Sequence, residues 1–175
     1  HLSVGDNLLF AASCRGVARL ERHRIAGDLL ERFGLAAVAK RFPVELLPAE
    51  ALRGVLARAL AGRPTLLLVD DLARDLDVPL RAELLNLLRW IHREWRVTIL
   101  TASGDAGNCL EISDQMLVME GGRLAQQGHP LQILDRPASV AVARALGGFS
   151  LLTAEIVGLD PGRNTSRLRI AEAEL

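Results

Sequence analysis

Two adjacent carboxylates, Asp70 and Asp71, end a short apolar run, Leu66 to Val69, that begins after Gly62 and Pro64. A run of that length, with breakers before it and acids after it, suits a central parallel strand buried on both faces. In open α/β sheets the ligand crevice lies outside the carboxyl ends of the strands, so both acids would project into it. Such a pair suits phosphate chemistry: Asp70 can hold a hydrated Mg²⁺ while Asp71 orients or deprotonates a water attacking a phosphate. The competing reading is that the pair simply ends the strand and caps the next segment of chain, and the residues alone leave both open.

The other candidate groups carry less chemistry. His23, His92 and His129 share no metal-ligand spacing and read as solvated or helix-surface histidines. Cys14 and Cys109 are too few and too far apart for a disulfide framework or a metal site, which fits a reducing compartment. Arg58 can reach a phosphate, but an arginine on the outer side of an amphipathic helix is more often solvated. Trp90 and Trp95 read as packing residues.

The elements that must position the acids follow from periodicity. The chain has 175 residues, half of them apolar, enough for one medium domain or a domain with a small appendage. His1 to Phe10 reads as an opening loop with a helix beginning at Asn7. Ile25, Leu29, Leu30 and Phe33 recur at helical spacing within Leu20 to Phe33, and Gly34 caps that helix. Ala36 to Phe42 reads as a second short helical piece ended by Pro43. From Pro48, Leu52, Val55, Leu56, Ala59 and Leu60 mark an amphipathic helix that stops at Gly62 and leads into the strand. Asp77 is a good N-cap, with Pro79 in the first turn and Leu80, Leu84, Leu87, Leu88, Ile91 and Trp95 lining one face. Arg96 to Ala102 then reads as a second parallel strand, making a strand, helix, strand unit.

Asn108 to Ser113 fits a short helix and Met116 to Met119 a third strand. Gly121-Gly122 turns that strand into Arg123 to Gln126 as a hairpin. Pro130 to Leu134 and Ala138 to Leu146 read as short helices. Leu151 to Val157, the turn Asp160-Pro161-Gly162 and Ser166 to Ile170 form a later hairpin, too small to bury a core alone and therefore the start of a small β domain. Lys plus Arg and Asp plus Glu stand at 21 each, so net charge gives no support to a nucleic-acid partner. No apolar run approaches a membrane span, no basic segment with an apolar core follows His1, and the chain reads as cut at its start.

In this order the parts resemble the ATPase subunits of ATP-binding-cassette (ABC) transporters, of the importer type that serves molybdate, sulfate and similar solutes. The residues that carry the resemblance are Leu-Ala-Arg-Ala-Leu at 56 to 60, the strand ending in Asp70-Asp71, Leu76-Asp77, Ser113-Asp114 and Gly121-Gly122-Arg123. It runs from Leu2 to about Leu146. It implies an α/β fold, the C-terminal part of a P-loop NTPase-like parallel sheet with a helical subdomain at about 12–62. Residues 1–148 would form the ATPase domain without its phosphate-loop region, and 149–175 the start of a small oligo-binding-type β domain. It further implies ATP and Mg²⁺ as cofactors, with Asp70 as the Mg²⁺ residue and Asp71 where the family has its catalytic Glu. Asp77 would lie in the loop that faces a second ATPase subunit. The implied partners are that subunit and a membrane permease, and the implied location is the cytoplasmic face of the cell membrane.

The chain also departs from the family. Asp71 is one methylene shorter than Glu, which draws the carboxylate back by up to about 1.5 Å, a displacement that can cost on the order of 100-fold in rate. The signature Leu-Ser-Gly-Gly-Gln should fall at Leu46 to Glu50, but Leu47 lacks the hydroxyl, Pro48 lacks an amide hydrogen, Ala49 replaces a glycine, and Glu50 adds negative charge where phosphate should sit. The switch His falls at Gly104, and no Gly-x-x-x-x-Gly-Lys-Ser/Thr occurs. Three readings remain: the partial ATP-binding subunit of an importer, a cassette without hydrolysis that acts by contact with a permease or another cassette, or an unrelated small-molecule binding domain built on a parallel sheet.

Overall fold

The computed structural model describes residues 2–147 and 154–170, which cluster into two units, His1–Ile112 and Ser113–Leu175. In the first unit, helix α1 (Val4–Cys14) begins three residues earlier than Asn7. Ser3 caps it, its hydroxyl accepting from the Asp6 amide at 3.2 Å. The Val4 and Gly5 amides, free at the helix start, donate to the Arg41 and Ala39 carbonyls at 2.9 Å each. Gly5 permits this approach, since a Cβ there would lie 3.3 Å from the Ala39 oxygen.

Helix α2 (Arg19–Arg32) ends as its periodicity predicts: Gly34 takes φ +64° and its amide donates to the Glu31 carbonyl at 3.0 Å. The predicted helical piece from Ala36 to Phe42 is a 3-10 turn at Ala36–Val38, and Pro43 opens a second such turn, Pro43–Glu45, instead of closing the first. Proline's fixed φ and missing amide suit a first helical position as well as a stop.

Helix α3 (Pro48–Leu60) starts at Pro48 as expected and buries Leu52, Leu56, Ala57 and Leu60. Val55 and Ala59 were expected on the buried face and lie outside it, Val55 being 52% exposed. Their place is taken by Ala57, because an apolar stripe wider than the contact leaves two possible faces.

Strand β1 (Leu66–Asp70), helix α4 (Val78–Trp95) and strand β2 (Thr98–Ala102) form the parallel unit, paired from Leu66 opposite Thr98 to Asp70 opposite Ala102. The expectation that β1 is buried on both faces does not hold. Leu67 and Val69 enter the core at 6% and 7% exposure, whereas Leu66 and Leu68 are 48% and 68% exposed. Two strands with cover on one side alternate in and out, however apolar the sequence. Leu84, Leu88 and Ile91 of α4 pack into the same cluster as Leu67, Val69 and Leu56, each such burial contributing roughly 1.5–3 kcal/mol. Trp90 and Trp95 close it against Phe33, with ring centroids at 5.4 and 5.6 Å from Phe33. Helix α5 (Ala106–Ile112) is tied to α4 by Arg89, which donates to the Glu111 carbonyl and carboxylate at 2.9 Å each.

In the second unit, β3 (Met116–Glu120) and β4 (Arg123–Gly128) make the expected hairpin, with Gly121 and Gly122 both at positive φ, the geometry a two-residue turn requires. Helices α6 (Pro130–Asp135) and α7 (Val140–Leu146) come next, capped by His129 and Ser139. The Gln126 side chain accepts from the Ala138 amide at 2.7 Å and donates to the Arg136 carbonyl at 3.0 Å, fixing the turn between them. Strands β5 (Ala154–Asp160) and β6 (Thr165–Ile170) form the later hairpin, turned by the Asp160 carboxylate on the Gly162 and Arg163 amides. The residues 151–153 of that expectation lie outside the described residues.

Candidate functional site

The carboxyl ends of β1 and β2 bring Asp70, Asp71 and the loop containing Gly104 side by side, since Asp70 pairs with Ala102 in register and the Asp71 amide donates to the Ala102 carbonyl at 2.8 Å. Asp70 is exposed, and its side chain takes no hydrogen bond or ion pair among the described residues. Asp71 differs in two ways. Its backbone is left-handed, φ +45°, a conformation that costs a non-glycine residue on the order of 1–2 kcal/mol and that aspartate tolerates better than most. Its carboxylate is engaged by the Arg74 guanidinium one turn on, whose amide also bonds the Asp71 carbonyl at 3.1 Å. The proton-accepting face of Asp71 is therefore shared with a cation.

Asp77 serves as the N-cap of α4, accepting from the Leu80 amide at 2.9 Å. Gly104 is exposed, and a Cβ placed there would meet nothing within 4 Å, so the position has room for the larger side chain that it lacks. The loop is held by Ser103, accepting from the Asp105 amide at 3.1 Å, and by Asp105, accepting from Gly107 at 2.8 Å and lying 3.5 Å from Arg81. Below it, Asp71, Thr101, Ser103, Asn108 and Cys109 line a cavity of about 20 Å³, room for one water and far too small for a nucleotide. Burial pushes the Cys109 thiol above its ordinary pKa, and the Asp105 charge adds to the effect.

At the start of α3 the altered signature has a structural use. The Glu50 carboxylate reaches back to accept from the Leu47 amide at 2.9 Å, the reciprocal half of a capping box. Glu45 does the same for Phe42 at 2.7 Å. Glu50 thus occupies the helix N-terminus that would otherwise receive an anion, and Pro48 and Ala49 lie within the same first turn. No hydrogen bond or ion pair among the described residues joins Leu47 to Glu50 with Asp70, Asp71 or Gly104. The residues present fit part of a Mg-ATP site. Asp70 suits a metal that takes one or two carboxylates and otherwise water and phosphate. No group of three His, Cys, Asp or Glu among the described residues converges on a metal, and the sequence supplies no phosphate cradle.

The sequence reading missed the amino ends of the same strands. Arg63 and Arg96 both take left-handed backbone, φ +49° and +51°, a short step before each strand, and the Thr98 amide bonds the Thr65 carbonyl at 3.0 Å between them. The signal was present as an arginine placed just after each helix, at Gly62-Arg63 and Trp95-Arg96.

This arrangement of parallel strands, acidic strand end and helical region is the fold of the ABC-transporter ATPases. Its backbone superposes on CbiO1 from Clostridium perfringens, part of the ABC transporter complex CbiONQ, with a TM-score of 0.69 at 25% identity, over 77% of this chain and 53% of that one. An inward-facing metal-chelate type ABC transporter matches in fold, with a TM-score of 0.71 at 18% identity over 97% of this chain and 65% of that one. No family model matches the chain. By sequence it is 37% identical over 155 residues to the Fe(3+) ions import ATP-binding protein FbpC of Streptomyces coelicolor, 89% of this chain and 44% of that protein. It is 38% identical over 160 residues to the spermidine/putrescine import ATP-binding protein PotA of Frankia alni, 91% of this chain and 34% of that one. It is 35% identical over 157 residues to the sulfate/thiosulfate import ATP-binding protein CysA of Mycobacterium tuberculosis, 90% of this chain and 45% of that one. The chain is a relative of the ATP-binding subunits of ABC importers, and it spans less than half the length of these curated relatives.

Proposed function

We propose that this chain serves as part of the ATP-binding subunit of an ABC importer and helps to energise uptake of a small solute such as sulfate or molybdate. The observation that supports this is the match along about nine-tenths of the chain to proteins that are all import ATP-binding subunits. In this reading Asp70 is the Mg²⁺ carboxylate, Asp71 takes the place of the catalytic Glu, and Asp77 stands in the loop toward a second ATPase subunit. Leu47, Pro48, Ala49, Glu50 and Gly104 are altered contacts to the nucleotide. Residues 1–148 are the ATPase domain, with a helical subdomain at about 12–62, and 149–175 begin a small β domain. The permease would dock on the helical region at the cytoplasmic face of the membrane. In support, that region exposes Leu20, Phe42 and Val44, Leu20 and Val44 at 88% and 92%, and no helix among the described residues is long and apolar enough to cross a membrane.

The relatives favour an importer subunit over the alternative of a cassette without hydrolysis. The test is co-purification of the tagged chain with a permease and an intact cassette, repeated with Asp77→Ala and with residues 12–42 deleted. Retention by the unaltered chain and loss on deletion is the expected result. Failure of the unaltered chain to hold either partner would refute the reading.

A further inference from the structure

At the amino ends of β1 and β2, opposite the acidic end, lies a cleft of about 470 Å³, within the range of small-molecule sites. Ile25, Leu29, Leu60 and Val97 are buried in its wall, Trp95 and Pro64 are half-buried, and Arg24, Arg63 and Arg96 reach its rim. Two nearby carboxylates, Asp28 and Glu21, are already committed. Asp28 pairs with Arg32 at 2.9 Å, and one oxygen of Glu21 is shared by Arg63 at 2.9 Å and Arg24 at 3.6 Å. Arg96 has no hydrogen-bond or ion-pair partner among the described residues. The local balance around the cleft is therefore positive although the chain as a whole is neutral.

The backbone adds an independent observation. Arg63 and Arg96 hold left-handed conformations where glycine or asparagine would cost less. At Arg96 the left-handed residue is the one that ends α4, a common way for a helix to stop. The Thr98 to Thr65 bond at 3.0 Å ties the two turns together, so both arginines emerge from one rigid edge. A planar guanidinium beside an apolar, aromatic wall recognises an oxyanion carried on a flat apolar body.

We propose that this cleft binds a small organic anion, an aromatic or aliphatic body bearing one phosphate or carboxylate group, with Arg96 as the principal anion contact. The test is a titration of the full ¹⁵N-labelled chain with phenyl phosphate, followed by the indole N–H resonance of Trp95. A saturable shift in the millimolar range is expected. Inorganic phosphate should bind about tenfold more weakly for want of the ring, and benzyl alcohol should give no saturation, since a charge-assisted hydrogen bond is worth a factor of that order. Arg96→Gly and Arg96→Asn both tolerate φ +51° and should fold as the parent does, with phenyl phosphate binding weakened about tenfold. The proposal is overturned if phenyl phosphate gives no saturable shift, if benzyl alcohol binds as well as phenyl phosphate, or if both Arg96 variants bind like the parent.

Discussion

The two ends of one pair of strands differ in almost every physical respect. At the carboxyl end stand Asp70, Asp71 and Asp105 above a cavity of about 20 Å³; at the amino end stand Arg24, Arg63 and Arg96 around a cleft of about 470 Å³. The carboxyl end is closed by local bonds, Asp71 to Arg74, Asp77 to Leu80 and Asp105 to Gly107. The amino end leaves Arg96 without a partner among the described residues. Each end leaves one charged group without a partner among the described residues, Asp70 at one and Arg96 at the other, so what separates the ends is the sign of that charge and the space beside it.

The largest effect should come from what both ends share. Leu56 is 2% exposed under the sheet, and Leu56→Ala should cost roughly 2–5 kcal/mol in urea denaturation. A cost below about 0.5 kcal/mol would mean a surface site and would undo the common scaffold. Asp77→Ala removes a cap at the carboxyl end alone and should cost about 1 kcal/mol, with binding of phenyl phosphate at the amino end unaffected. Cys109 sharpens the contrast through pH. Its thiol is raised by burial and then by Asp105, so less thiolate is present at about pH 8 than in a free thiol, and alkylation there should be slower than that of exposed Cys14. Asp105→Asn removes the second cause and should speed Cys109 a few-fold; an unchanged rate would show that burial acts alone. The smallest effect expected is none: in this chain by itself Asp71→Glu should yield no phosphate release, because it carries no phosphate-loop motif, signature hydroxyl or switch His, and the parts of a catalytic unit do not act separately. Measurable turnover by that single variant would restore the carboxyl end as a working site.

What could be read in advance was local. Asp77 as a cap, Gly34 as a stop and the glycine pair at 121 and 122 each depend on a few neighbouring residues, and each is found where expected. Leu66 and Leu68 could not be assigned a face, because that depends on what covers the strand and not on the strand. Val55 and Ala57 are both apolar, and only the docked partner chooses between them. Glu50 looked like an unwelcome charge near phosphate, while its reach to the Leu47 amide was legible as a glutamate three residues past a helix start. Arg74 and Arg96 were invisible as a contrast, one engaged and one free among the described residues, since pattern carries no side-chain partners.

The aromatic cluster has a spectroscopic consequence. The chain contains two tryptophans and no tyrosine, and both tryptophans sit with Phe33, their own centroids 5.1 Å apart. All ultraviolet emission excited above the phenylalanine band thus arises from one spot where the end of α2 meets α4. A red shift on heating would time the parting of those two helices.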